Sequence, residues 1–313
     1  MGGRSTTEDA RLDRVVDSIP GWRQAGPVTF TPLEGGITNH NFLARVGDER
    51  FVVRLAGKDT ELLGIDREAE RAAAVAAHSV GIGPEVVEFL PDLGCLVTRF
   101  IEADHVPPER MAHPDMLALA AGALRAFHGA PPIPASFSPF RVVEAYRDEA
   151  AARGVPIPPA YQMLIGAAKD IEAAFGRAPL PSRPCHNDLL NANFLLQGDR
   201  LFVVDYEYAG MGDPFFDLGN FSVNHSFGDT EDARLVARYF GEPQETSVAR
   251  LKLMRIMSDF REAMWGVLQQ GISTLDFDYV EYATKHFDRS LAAIEDDRYR
   301  AWLRQADRWT PTA

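Results

Sequence analysis

The sequence predicts an α+β fold in two parts, an antiparallel sheet followed by a mainly helical region, on three observations. Short β-branched and aromatic runs, separated by turn residues, occupy the early part of the chain. Segments with helical spacing of apolar residues occupy most of the remaining chain. One hairpin-like stretch before Asp205 interrupts the helical part.

The strands come first. Between residues 28 and 100 the runs VTFTPL, NFLARV, RFVVRLA, EVVEFL and CLVTRF are broken by GG, GD and PD turns. Among them, residues 66–79 (DREAERAAAVAAHS) are rich in Ala and Glu with an Asp at the start, which predicts one helix ended by GIGP. The character changes near Ile101, so the chain is divided into residues 1–101 and 102–313. Helices are expected over residues 114–128, 140–153, 160–175, 232–240, 247–270 and 277–294. The segment NFLLQGDRLFVVD predicts two short strands joined by a Gly-Asp turn, and APPIPASFSPF and GVPIPP predict loops between helices.

Composition narrows the partners. The 313 residues carry a formal charge of −13, which repels nucleic-acid phosphates and anionic lipid. Cys95 and Cys185 stand apart without a metal or disulfide pattern. No apolar run reaches the length of a membrane span, and the charged first residues lack a signal core. A cytoplasmic protein is expected, monomeric or homodimeric, with a small-molecule substrate, no nucleic acid and no membrane insertion.

The strongest chemical signal is CHNDLLNANFLL, with His186, Asp188 and Asn193 spaced H-x-D-x4-N ahead of a strand. An Asp at the start of such a loop can accept a hydroxyl proton, and an Asn five residues later can turn back to hold a metal. The same residues could instead cap turns. LFVVDYEYA then places Asp205 at the end of an apolar strand that returns beside the loop, where a carboxylate can bridge magnesium to phosphates. His186 is read as a brace for the loop.

HNDLLNANFLL, VVDYEYAGMGDPFFDLGNF and MWGVLQQGISTLDFDYVEYATKHFDRSL together resemble choline and ethanolamine kinases, including bacterial LicA-type members of the aminoglycoside phosphotransferase and protein kinase-like superfamily. The resemblance implies a protein kinase-like two-lobed fold that uses ATP and Mg2+. It gives Asp188 the role of base and makes Asn193 and Asp205 the metal ligands. LEGGITNHNF resembles the hairpin over the phosphates, which brings in Gly35, Gly36, Thr38 and Asn39. Arg54 stands where protein kinases carry a strand lysine and is expected on the phosphates, paired with the helix glutamate. Glu70 is preferred for that pairing over Glu68, since residues two apart point to different helix faces. Backbone groups from Arg99 to Ile101 are expected to hold adenine.

For the acceptor, the resemblance places Trp265, Phe277 and Tyr282 near a choline pocket, with Phe227 as a further wall and Glu207 beside the metal or the cation. Quaternary ammonium is held by aromatic faces, so choline is the expected acceptor. Ethanolamine, another small amino alcohol or an aminoglycoside is the alternative, and a non-catalytic nucleotide-binding module is the alternative of another class. Leu268 replaces a second tryptophan usual in choline kinases related to the animal enzymes, and Asn224 replaces a frequent acidic residue.

Overall fold

The computed structural model describes residues 6–33, 39–57, 60–242 and 244–310. It begins with a helix that the sequence did not suggest, α1 (Thr6–Ser18). Its charged residues hide a short apolar stripe of Leu12, Val15 and Val16, which is buried with Ile19 and Trp22 beneath the sheet.

The sheet is antiparallel, with β1 (Val28–Leu33), β2 (Asn39–Val46), β3 (Glu49–Ala56), β4 (Val86–Leu90) and β5 (Cys95–Arg99) in the order β1-β2-β3-β5-β4. Strand alternation sorts its two faces. Phe51, Val53 and Leu55 of β3 join Cys95 and Val97 of β5 in the cluster with α1. Arg54 is thereby turned to the opposite face. There α2 (Arg67–Ser79) crosses, its N-terminus capped by Asp66, which accepts N–H bonds from Glu68 and Ala69.

The chain leaves the sheet after Arg99, and the short β6 (Asp104–His105) already pairs with a strand of the second part. There α3 (Pro114–His128), α4 (Pro139–Ala152) and α5 (Ala160–Arg177) lead into β7 (Arg183–Cys185). The expected hairpin comes next as β8 (Phe194–Gln197) and β9 (Arg200–Val203), and β10 (Gly210–Gly212) pairs back onto β7. The remaining helices are α6 (Pro214–Asn224), α7 (Asp229–Phe240), α8 (Glu245–Ile272), α9 (Tyr279–Glu295) and α10 (Tyr299–Ala306).

The sequence reading missed α6 and α10. Every residue of α6 from Pro214 to Val223 is buried, so no polar face marks its period. One core cluster runs from α2 and Ile82 through the helical part, and Val203 N–H donates to Ile82 O at 2.8 Å across the two parts. Among the described residues no helix is long and apolar enough to cross a membrane.

Candidate active site

The loop from His186 to Asn193 is fixed from below by α6. Both Asp217 carboxylate oxygens receive loop amides, His186 N–H at 2.8 Å and Asn187 N–H at 2.7 Å, and His128 Nε2 lies 2.9 Å from Oδ2. Burial raises the Asp217 carboxyl, but the His128 bond and these amides outweigh it and hold the group below the usual carboxylate range. Asn220 Oδ1 accepts Leu189 N–H at 2.6 Å.

Within the loop, Asp188 N–H donates to His186 Nδ1 at 3.2 Å, so His186 Nε2 carries the proton and donates to Val204 O at 3.0 Å. Burial pushes the His186 imidazole down, consistent with a neutral brace. Asn187 and Asp205 adopt left-handed φ values of 67° and 70°. Non-glycine residues held there are strained, and such strain gathers at functional sites.

These supports bring Asp188, Asn193 and Asp205 together. Asn193 Nδ2 donates to Asp188 O at 2.8 Å, and Val204 N–H donates to Asn193 O at 3.0 Å, which ties the residue before Asp205 to the loop. With its amide nitrogen engaged, the Asn193 side chain offers an oxygen, and Asp205 a partly exposed carboxylate. Such a hard, oxygen-only donor set fits magnesium. Asp188 is 9% exposed. Burial pushes its carboxyl up, the nearby Arg261 opposes this, and Glu262, Asp205 and Glu207 reinforce it.

Behind Asp205 lies a compact ion-pair cluster. Arg54 Nη2 is 2.5 Å from Asp205 and 3.3 Å from Glu207, and its Nη1 is 3.2 Å from Glu70. Burial works against the Arg54 charge, but the three carboxylates hold its pKa above the usual arginine value. Glu70 is buried in the cluster, whereas Glu68 pairs outside it with Arg71. Asn39 Nδ2 donates to Glu207 at 2.8 Å.

A second arginine, which the sequence did not reveal, completes the cluster. Arg67 opens α2 and reaches Glu70 at 2.7 Å, Glu207 at 3.5 Å, Asn39 Oδ1 at 3.1 Å and Thr60 Oγ1 at 2.9 Å.

On the other side of Asp188, α8 supplies a different group. Arg261 Nη1 lies 3.5 Å from Asp188 Oδ1 and is bonded to Glu262 Oε1, while Tyr282 OH donates to Glu262 Oε2 at 2.7 Å. The Arg261 guanidinium lies over the Tyr208 ring, 4.4 Å from its centroid, and Trp265 Nε1 donates to Tyr208 OH at 3.2 Å. Trp265 and Tyr282 meet at 5.6 Å, and Phe277 at 5.9 Å from Tyr282 closes the row at the surface. Gly266 permits this approach, because a Cβ there would sit 3.0 Å from the Tyr282 ring.

Three further expectations concern Phe227, the segment from Arg99 to Ile101 and the hairpin glycines. Phe227 packs on Phe221 and His225, and no ring contact joins it to Trp265, Phe277 or Tyr282 among the described residues. The Arg99 side chain is on the α1 side of the sheet, over Phe51 and beside Glu49 and Glu85. The Arg99 and Phe100 amides donate to Glu85 O and Arg50 O, so neither is open to a base, and Ile101 is left as the expected hinge position. Gly35, Gly36 and Thr38 lie outside the described residues. The two departures also have places: Leu268 is fully buried, and Asn224 Nδ2 donates to Leu189 O at 3.4 Å.

The signature of the phosphotransferase enzyme family, APH, matches residues 29–253, a span that contains this whole loop and both metal-type ligands. The chain belongs to that family. It is similar to Protein LicA of Haemophilus influenzae, at 24% identity over 84% of this chain and 79% of the relative. It is also similar to ethanolamine kinase 2 of Mus musculus, at 26% identity over 86% and 77% respectively. The crystal structure of a choline/ethanolamine kinase family protein from Mesorhizobium loti superposes with a TM-score of 0.80 at 31% identity, covering 96% of this chain and 99% of that one. The chain is therefore a phosphotransferase of the choline/ethanolamine kinase type with a kinase-like fold and an alcohol group as acceptor.

Proposed function

We propose that this chain transfers the γ-phosphoryl group of Mg-ATP to the hydroxyl of a small amino alcohol of the choline and ethanolamine class. The supporting observation is the position of Asp188, a buried carboxylate set between the Arg54–Asp205 cluster and the Arg261–Glu262–Tyr282–Trp265 group. In this reading Asp188 takes the acceptor's hydroxyl proton as its oxygen forms a bond to the γ-phosphorus. The bond from that phosphorus to the β,γ-bridging oxygen breaks, and ADP leaves.

Asn193 and Asp205 would hold magnesium, which supplies positive charge to the phosphate oxygens when bound. Arg54 and Arg67 exchange part of their carboxylate contacts for phosphate. His186 and Asp217 act by holding the loop. Catalysis then consists chiefly of positioning and charge neutralisation.

ADP release with Mg-ATP against choline, ethanolamine and kanamycin tests the reading. Stimulation by choline or ethanolamine, with formation of the matching phosphate ester, is expected. Stimulation by kanamycin alone would place the chain with the antibiotic-modifying branch of the family, and ADP release by none of the three would remove the amino-alcohol reading.

A further inference from the structure

The acceptor side carries a feature that a quaternary-ammonium pocket does not need, a protein cation already seated on one of its rings. Arg261 is 1% exposed. Its guanidinium covers Tyr208 at 4.4 Å, and Tyr208 is joined through Trp265 to Tyr282. A trimethylammonium group has no N–H to donate and relies on open aromatic faces. Arg261 takes the Tyr208 face, which leaves one ring face fewer open to such a group. Leu268, buried one turn beyond Trp265, adds no ring in compensation.

A primary ammonium meets the same wall differently. Glu262 accepts one bond from Arg261 and one from Tyr282, which leaves each carboxylate oxygen a further lone pair. Arg261 and Glu262 are adjacent on α8, both buried, and bonded to each other through Arg261 Nη1.

We infer that Arg261 is a specificity-determining residue, which occupies the ring face that choline would use and, with Glu262, selects an acceptor bearing a primary ammonium. The inference rests on the amino-alcohol reading and departs from the choline expected from the sequence. It joins Asp188 to recognition, because Arg261 touches the base and covers the ring in one conformation.

The test is the ratio of kcat/KM for ethanolamine to that for choline, in wild type, Arg261→Ser and Glu262→Gln. Wild type is expected to favour ethanolamine by about tenfold or more, the scale of one charge-assisted contact. Arg261→Ser uncovers Tyr208 and should move the ratio at least tenfold towards choline. Glu262→Gln keeps an acceptor for Tyr282 but loses the charge, so the ethanolamine KM should rise while the choline KM changes less. A wild-type preference for choline, or a ratio unmoved in both variants, would overturn the inference. If Arg261→Ser does not fold, the Glu262→Gln ratio decides alone. Turnover of neither amine by a wild type that still binds Mg-ATP would instead defeat the amino-alcohol reading, and the inference with it.

Discussion

On the Asp205 side of Asp188, Arg54 and Arg67 spend their terminal nitrogens on Glu70, Asp205, Glu207, Asn39 and Thr60, and among the described residues only Nε of each is unpartnered. On the α8 side, Arg261 is more deeply buried, reaches Glu262 and Asp188 through Nη1 and lies over the Tyr208 ring. The first region is a closed network, where a ligand must exchange contacts already made. The second sets one cation against both Asp188 and a ring, which is the arrangement of a site that discriminates. The two also differ in construction: the first joins the sheet and α2 to the segment after β9, the second rests on a charge pair within α8.

That contrast can be broken at several points. The largest effect is expected from Arg54→Met, which takes the cation from Asp205 and leaves buried Glu70 and Glu207 with Arg67 alone. Removing one partner from a buried ion pair costs about 3–5 kcal/mol, so the urea midpoint of the folded chain should fall sharply. An unchanged midpoint would mean that the network is not closed.

Asp217→Asn should come next. It replaces one acceptor facing the His186 and Asn187 amides and loses the charge held by His128, at a cost of about 1–3 kcal/mol. A fall in kcat with little change in the KM for ATP would show that Asp217 acts through the loop. Gly266→Ala is the smallest. Its Cβ would press on the Tyr282 ring, so the acceptor KM should rise a few-fold, on the order of 1 kcal/mol, while the ATP KM stays. An equal rise in both would break the separation between the two sides.

Much of the first region was legible in the sequence. Resemblance to the kinase strand lysine singled out Arg54, which the strand turns to the face opposite Phe51, Val53 and Leu55, and helix geometry separated Glu70 from Glu68. The spacing of Asp188, Asn193 and Asp205 marked the loop and the hairpin that returns to it. Arg67 had no signal, because an arginine at the start of a charged helix is ordinary until the strand opposite is known. Asp217 lies within the stretch DPFFDLGNF, but its bonds to the loop depend on how α6 packs.

The second region was legible only in part. Trp265, Phe277 and Tyr282 do form one row of rings, whereas Phe227 lies in a different ring cluster, which composition alone does not distinguish. Arg261 did leave a trace. It stands in a stretch of α8 that is buried on every face from Ile256 to Gln269, and a charge there needs a partner. Which partner it takes, Asp188 or Glu262, is decided by tertiary structure.

The most direct measurement is the rate of ADP formation with Mg-ATP and the preferred amino alcohol, for wild type and Asp188→Asn, beside calorimetric titration of the nucleotide. The variant should lose about 10²–10⁴ in kcat, the scale of a missing general base, and bind nucleotide as wild type does. A variant that turns over within about threefold of wild type would show that the acceptor's proton goes elsewhere, and would contradict the role given to Asp188.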